Sequence, residues 1–571
     1  MNNRFLSAIF VSLALLALSD CAPREKAFQD FGPVEQDFVY DSLALSPVAA
    51  TAAGYHQHNG VSLDGLLDDY SPSGVDAQRR FLTGFRKRLE TSIHRDELVP
   101  ESQVDYDIIQ DQISAGLLDL DTIQSYRHNP TVYVELIGNG LFTPYVLSYA
   151  PLETRYRHIV SRLNRIPAFL EQAKKNLVNS PAVWTRVAQE ENDGNISLID
   201  KTLRNDAPDE VKADYNASAD TALKALRNFN DYLKTDLDKR TCDWRLGKEK
   251  YDQKFRYTLE INKTPDQVLR DAEAALQQIR AEMAELAKPL TVEAALDKIA
   301  QKHATPETYM QAARRDLAET TAFVQKKKLL ALPSGENLQV IDTPVFMRGI
   351  YTVGGFNGAP PLEPQLGAFF WITPIPTNWP KERIESKLRE YNFYGLKTLV
   401  IHEAMPGHYV QLEYANRVEP KPRRILRAVY SNTPYVEGWA VYATQLMIDQ
   451  GYMNGDKGMR LTFLKQMLRV LANAIIDIRF HTMGMTEQQA MDLMTDKTYQ
   501  EKEEATEKLQ RAELSSCQLP TYFVGWRGWL EVRDAYSKSK GGAFQLSDFH
   551  EAALKEGAVP LPLLSRLLTG K

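Results

Sequence analysis

"TPDQVLRDAEAALQQIRAEMAELA", residues 264–287, decides the fold class of this 571-residue chain. Thr264 and Gln267 are spaced as a capping box with Pro265 at the first helical position, an arrangement that satisfies free amides at a helix start. Behind the cap, Leu269, Ala272, Leu276, Ile279, Met283 and Leu286 recur at alternating steps of three and four. That period lays one apolar stripe along one helix face.

The same period runs through "RYRHIVSRLNRIPAFLEQAKKNL" (155–177) at Tyr156, Ile159, Leu163 and Ile166, with Pro167 expected to kink the helix. "TPET" (305–308) and "TEQQ" (486–489) read as further helix starts. Two stretches depart from the pattern. "KFRYTLEI" (254–261) alternates apolar and polar residues, which predicts a half-buried strand. Residues 338–376 are rich in Pro, Gly, β-branched and aromatic residues and predict two or three short strands with loops. The expectation is a mainly α protein with a small antiparallel sheet. An N-terminal helical part would cover 21–240, and a part holding the sheet and the site would cover 241–571.

Composition excludes little and excludes it clearly. Apolar residues make up 43% and charged residues 25%, as in ordinary globular proteins. A net charge of −6 with no long basic run gives no basis for nucleic-acid binding. The first residues read as an export signal (1–20): Arg4 precedes the 14-residue apolar run "FLSAIFVSLALLAL", which is too short to span a bilayer comfortably and is closed by "SDCA". "LSDC" resembles a lipoprotein cleavage site, with Cys21 carrying the lipid that would tether the protein to a membrane. Asp20 departs from that pattern, which prefers a small neutral residue, so cleavage after Ser19 is the alternative. An exported lipoprotein of the periplasm or outer membrane is expected. Cys242 and Cys517 remain after processing, and nothing in their spacing predicts a disulfide.

The chemistry concentrates in "VIHEAMPGHYVQ" (400–411), which holds two of only ten histidines. Apolar residues just before His402 predict a buried helix end. Imidazoles and a carboxylate there are costly to desolvate unless paired or metal-bound. In the short zinc-peptidase motif, histidines four apart share a helix face. His402 and His408, six apart, would point about 120° away from each other in a regular helix. Pro406 and Gly407 are expected to open the helix into a wide turn that brings His408 round. Glu437, in the first turn and a half of the helix predicted after Pro434, is the candidate third ligand. Catalytic zinc takes three protein ligands and leaves a fourth position for water. Glu403 is then free to act as general base toward that water. On spacing alone, a pair of hydrogen-bonded core histidines remains the alternative.

"HEAMPGH" (402–408) and "EGWAVYATQL" (437–446), in that order and spacing, resemble the bacterial domain-of-unknown-function family 885. "SPVAATAAGYH" (46–56), "SRLNRIPAFLEQAKKNL" (161–177) and "FHEAALKEGAVPLPLL" (549–564) extend the resemblance over nearly the whole mature chain. That family is similar in architecture to helical zinc peptidases such as thimet oligopeptidase, angiotensin-converting enzyme and bacterial metallocarboxypeptidases. The resemblance implies two helical lobes around a deep cleft, zinc held by His402, His408 and Glu437, and Glu403 as base. It also selects Tyr522 in "CQLPTYFVG" as an oxyanion donor, and Asp477 and His481 in "IIDIRFH" as functional residues. Arg479 stands there where the family usually has glycine. The expected function is a zinc peptidase acting on short peptides. A zinc amidase or esterase, and a non-catalytic peptide-binding envelope lipoprotein, are the alternatives.

Overall fold

The quoted segment folds as the helix Pro265–Ala287, with both halves of its capping box formed. Val268, Leu269, Ala272, Leu276 and Met283 are buried against the long helix Lys457–Met483. A second capping box, Thr486 with Gln489, opens the helix Glu487–Asp492 as expected. "TPET" instead forms a turn, and the helix that follows runs Tyr309–Lys327 with Thr308 at its cap. Pro167 lies inside the helix Leu152–Asn176, whose Tyr156, Ile159, Leu163 and Ile166 are all fully buried.

These elements come from a computed structural model that describes residues 30–570 except 334–336, 345–346, 349–350 and 352. The predicted export signal and Cys21 lie outside the described residues. Among those described, no helix is long and apolar enough to cross a membrane, and Cys242 and Cys517 are both free.

The predicted strand at 254–261 is not one. Residues Lys248–Leu259 form a helix in which Tyr251, Phe255 and Leu259 are the buried positions. Phe255 and Leu259 fit a four-residue helical step as well as a two-residue alternation, and Tyr251 one step earlier decides for the helix. It ends at Glu260, which takes a left-handed conformation (φ 49°).

Three strands do form where short strands were expected. Ala368–Ile372 is central, pairing parallel with Leu338–Asp342 and antiparallel with Gly354–Asn357. A separate two-stranded antiparallel hairpin pairs Gln57–His58 with Val61–Ser62. Every residue of the central strand is buried. Ala368, Phe370 and Ile372 join one hydrophobic core, while Phe369 and Trp371 join another. This is what strand alternation dictates when both faces of a sheet are covered.

The two cores do not divide at residue 240. The core beyond the sheet's second face is built mainly from residues 133–237. The other unites residues 31–113 with 251–564. The first helices pack on the C-terminal half. Phe38 of Gly32–Ala44 packs on Tyr430, and Asp105 of Pro100–Leu118 accepts from Arg423 and Arg427, at 2.7 Å each.

Candidate metal centre

The segment before the motif divides into two helices, Lys381–Glu390 and Phe393–Glu403. Asn392 causes the break: its side chain accepts from the amides of Tyr394 and Gly395, which starts a new helix. Buried Lys397 anchors this second helix through Asp316 (2.9 Å) and Glu319 (2.6 Å). His402 falls in its last turn.

Helical geometry stops at Ala404 and resumes at His408, the first residue of the helix His408–Ala415. The expected non-helical turn is present, but glycine serves it differently from the expectation. Gly407 has a negative φ (−71°), so left-handed freedom is not what the position requires. A Cβ there would collide with the carbonyl of His402. Glycine allows the chain to fold back against the helix end it has just left.

The third residue comes from the helix Thr433–Asp449, capped by Asn432, whose side chain accepts from the Tyr435 amide at 2.9 Å. Two residues past Glu437, the fully buried Trp439 indole donates to the carbonyls of Pro406 (2.8 Å) and Gly407 (3.2 Å). One side chain thus locks the turn between the histidines to the helix that bears the carboxylate. Trp439 itself sits among Trp529, Tyr442 and His550.

His402, His408 and Glu437 converge. Both Nε2 atoms lie 3.5 Å from the same oxygen, Glu437 Oε2, and one ligand atom from each residue falls within 4.8 Å of the others. Burial would raise the Glu437 carboxyl, but the two imidazoles hold it well below the usual carboxylate range. Burial opposes charge on His408, and Glu437 and Glu403 together overcome it. Glu437 Oε2 and His408 Nδ1 are buried without a hydrogen-bond partner. Two nitrogens, one carboxylate oxygen and an unsatisfied buried acceptor suit a divalent cation.

Glu403 makes no hydrogen bond or ion pair among the described residues, and its charge is felt at His408. Tyr522 begins the helix Thr521–Lys540. That helix crosses the Glu437 helix at Gly438 and Gly525, where a Cβ on either would strike the other's backbone. The crossing holds Tyr522 within electrostatic reach of Glu437. Arg511 Nη2 donates to the Tyr522 hydroxyl at 3.3 Å.

His481 and Asp477 are not brought to this cluster. His481 Nδ1 accepts from the Leu246 amide (3.2 Å), which leaves Nε2 to donate to the Ser515 carbonyl (3.1 Å). Burial lowers the ring's pKa to about 4. Asp477 accepts from Tyr251 (2.6 Å) and the Cys517 amide (3.0 Å). Both hydrogen-bond around the loop leading to Tyr522, His481 through both ring nitrogens and Asp477 through Oδ1, while Asp477 Oδ2 is buried without a hydrogen-bond partner. Trp439, Arg511 and Tyr351 escaped the sequence reading. Tyr351, beside the sheet, feels the charges of Glu403, Arg511 and Glu437.

Residues 47–568 match the family model described as "Bacterial protein of unknown function (DUF885)". The chain belongs to this family. It is similar over 94% of its length to a "putative lipoprotein of unknown function" from Shewanella oneidensis, at 28% identity, TM-score 0.78 and 99% coverage of that chain. A "putative lipoprotein" from Colwellia psychrerythraea shares the fold at 17% identity and TM-score 0.78, over 95% of this chain and 98% of its own. No functionally curated protein matches the chain.

The outlying segments that resemble DUF885 explain themselves structurally. Thr51 and Arg162, one from each N-terminal segment, meet at 2.7 Å, and Thr51 bonds Asp64, which bonds His56. His56 then reaches Glu363 at 3.1 Å, in the loop before the central strand. In the C-terminal segment, His550 bonds Tyr442 of the Glu437 helix at 2.9 Å.

One support of that helix titrates. Asn432, the cap, donates to Glu260 at 2.7 Å. Burial first, then Asp111 and Asp107, push the Glu260 carboxyl up to about 8. The folded state therefore binds a proton there that the unfolded chain releases above about pH 4.5. Stability falls between those two values, by about 1.4 kcal/mol per pH unit at most. Glu260→Gln is expected to melt several degrees above wild type at pH 8.5, with the gap closing toward pH 5. Thermal melts across that range would read it, and parallel curves would refute it.

Proposed function

We propose that this protein is an exported, lipid-anchored zinc hydrolase that cleaves short peptides. The observation that carries the reading is the meeting of both histidine Nε2 atoms on one unpartnered Glu437 oxygen at 3.5 Å. Ligands about 2.0–2.1 Å from zinc at tetrahedral angles stand about 3.4 Å apart, and the two separations to Glu437 Oε2 match that spacing.

Zinc bound there would supply Lewis-acid polarisation of a carbonyl and acidify water. The chain's own groups divide the remaining work. Glu403, uncommitted to any other partner, takes a proton from the attacking water at its carboxylate. It returns that proton to the leaving amine as the carbon–nitrogen bond breaks. Tyr522, which Arg511 orients through its hydroxyl, donates toward the oxyanion that forms when water adds to the peptide carbonyl. The strand Gly354–Asn357, at the edge of the three-stranded sheet, offers backbone groups that are unpaired among the described residues to an extended peptide.

The N-terminal signal, with Cys21 in its lipoprotein-like "LSDC", supports export and anchoring, as does the description of the Shewanella and Colwellia proteins.

Metal content tests the reading most directly. Protein purified without chelators is expected to carry about one zinc per chain by mass spectrometry, and His402→Ala, His408→Ala and Glu437→Ala each to lose it. Zinc well below one per chain, and insensitive to these changes, would exclude the metal centre. Digestion of a mixed peptide library then separates a peptidase from an amidase or a binding protein.

A further inference from the structure

Near Glu437 stand two basic side chains, Lys508 and Arg511, that form no ion pair with a carboxylate among the described residues. Glu504, Lys508 and Arg511 lie at i, i+4 and i+7 of the helix Lys502–Leu514, and so on one face. Glu504 is already taken: Arg469 pairs with it, and Lys387 approaches it at 3.6 Å while bonding Glu507 at 2.9 Å. Lys508, only 6% exposed, has no hydrogen bond or ion pair among the described residues. Arg511 bonds the neutral hydroxyl of Tyr522. Both Lys508 and Arg511 are within electrostatic reach of Glu437, and they stand about 4.5 Å apart along the helix axis.

A buried ammonium without a counter-ion is unfavourable. Here burial disfavours its charge first, and Arg469 and Arg511 add to the effect. An incoming anion would reverse both. With Glu437 neutralised by a bound cation, the pair presents an ammonium and a forked guanidinium next to the reacting centre, a combination that suits a carboxylate.

We propose that Lys508 and Arg511 form a subsite for the C-terminal carboxylate of the peptide, which places the cleaved bond close to the substrate's C-terminus. This inference rests on the peptidase reading for its substrate class. The same chemistry could also come from an acidic side chain, and the test separates the two.

An acetylated tripeptide would be supplied as the free acid, as its C-terminal amide, and as an amide ending in glutamate. Zinc-loaded wild type, Lys508→Met and Arg511→Gln would be assayed for kcat/KM, and zinc-loaded Glu403→Gln for binding by calorimetry. Melting curves and zinc content would show that each variant is folded and loaded. Wild type is expected to prefer the acid over both amides at least tenfold, chiefly in KM, and either variant to bring the acid down to the level of the amide. Two substitutions keep the test open if one fails to fold. Equal handling of acid and amide, a glutamate amide as good as the acid, or a preference that survives both substitutions would overturn the subsite. Cleavage without preference defeats the subsite and leaves the peptidase standing. Acid-selective binding by Glu403→Gln, absent when Lys508→Met is added, with no cleavage by wild type, does the reverse.

Discussion

Glu403→Gln is expected to leave zinc at about one per chain while lowering kcat by about 10²–10⁴-fold, roughly 3–5 kcal/mol of barrier. Glutamine matches glutamate in size, and position 403 makes no structural hydrogen bond or ion pair among the described residues. The substitution therefore removes proton transfer and little else. Melting temperature should move by no more than a degree or two, because neither packing nor a network depends on this carboxylate. Zinc-loaded Glu403→Gln with wild-type turnover would disprove the role of Glu403. Loss of zinc would instead make it a ligand.

Gly407→Ala is expected to dismantle the centre from a position that touches no metal. Its new methyl group would need the space of the His402 carbonyl, so either the helix end or the turn must move. Each movement separates His402 from His408. Zinc affinity should fall by at least about 10²-fold, with helical content retained in circular dichroism. Trp439→Phe is the milder companion. It keeps an aromatic ring in the cluster but loses both hydrogen bonds to the turn, and should cost about 10–100-fold in zinc affinity. Wild-type affinity in Gly407→Ala would show that the turn does not set the ligand geometry.

Much of this was legible because it is local. Capping boxes and three-four periods announce helices, and a Pro-Gly pair between two histidines announces a break between them. Glu437 could be picked out because Pro434 marks a helix start just before it. Failures came where the deciding partner is remote. "KFRYTLEI" carries a pattern that two periods share, and the choice was made by Tyr251 one step upstream, packing inside the core. His481 is singled out by the resemblance of "IIDIRFH" to the family, which says nothing of what its ring meets. Both its nitrogens are occupied by backbone from Leu246 and Ser515, 235 and 34 residues away in sequence. Lys508 reads as an ordinary helix-surface lysine in "KEEATEKLQRAEL" until Arg469, on a different helix, claims Glu504.

The central strand Ala368–Ile372 has a consequence for how the molecule can move. Its odd and even side chains are rooted in different cores, so it acts as a rivet through two plates. A swing of one half against the other would have to pull at least one set of those side chains out of its packing. Any opening that a substrate would require is thereby expected at the rims of the molecule. The edge strand hydrogen-bonded to the rivet, where a peptide would lie, is expected to keep its place relative to the helices that carry His402, His408 and Glu437.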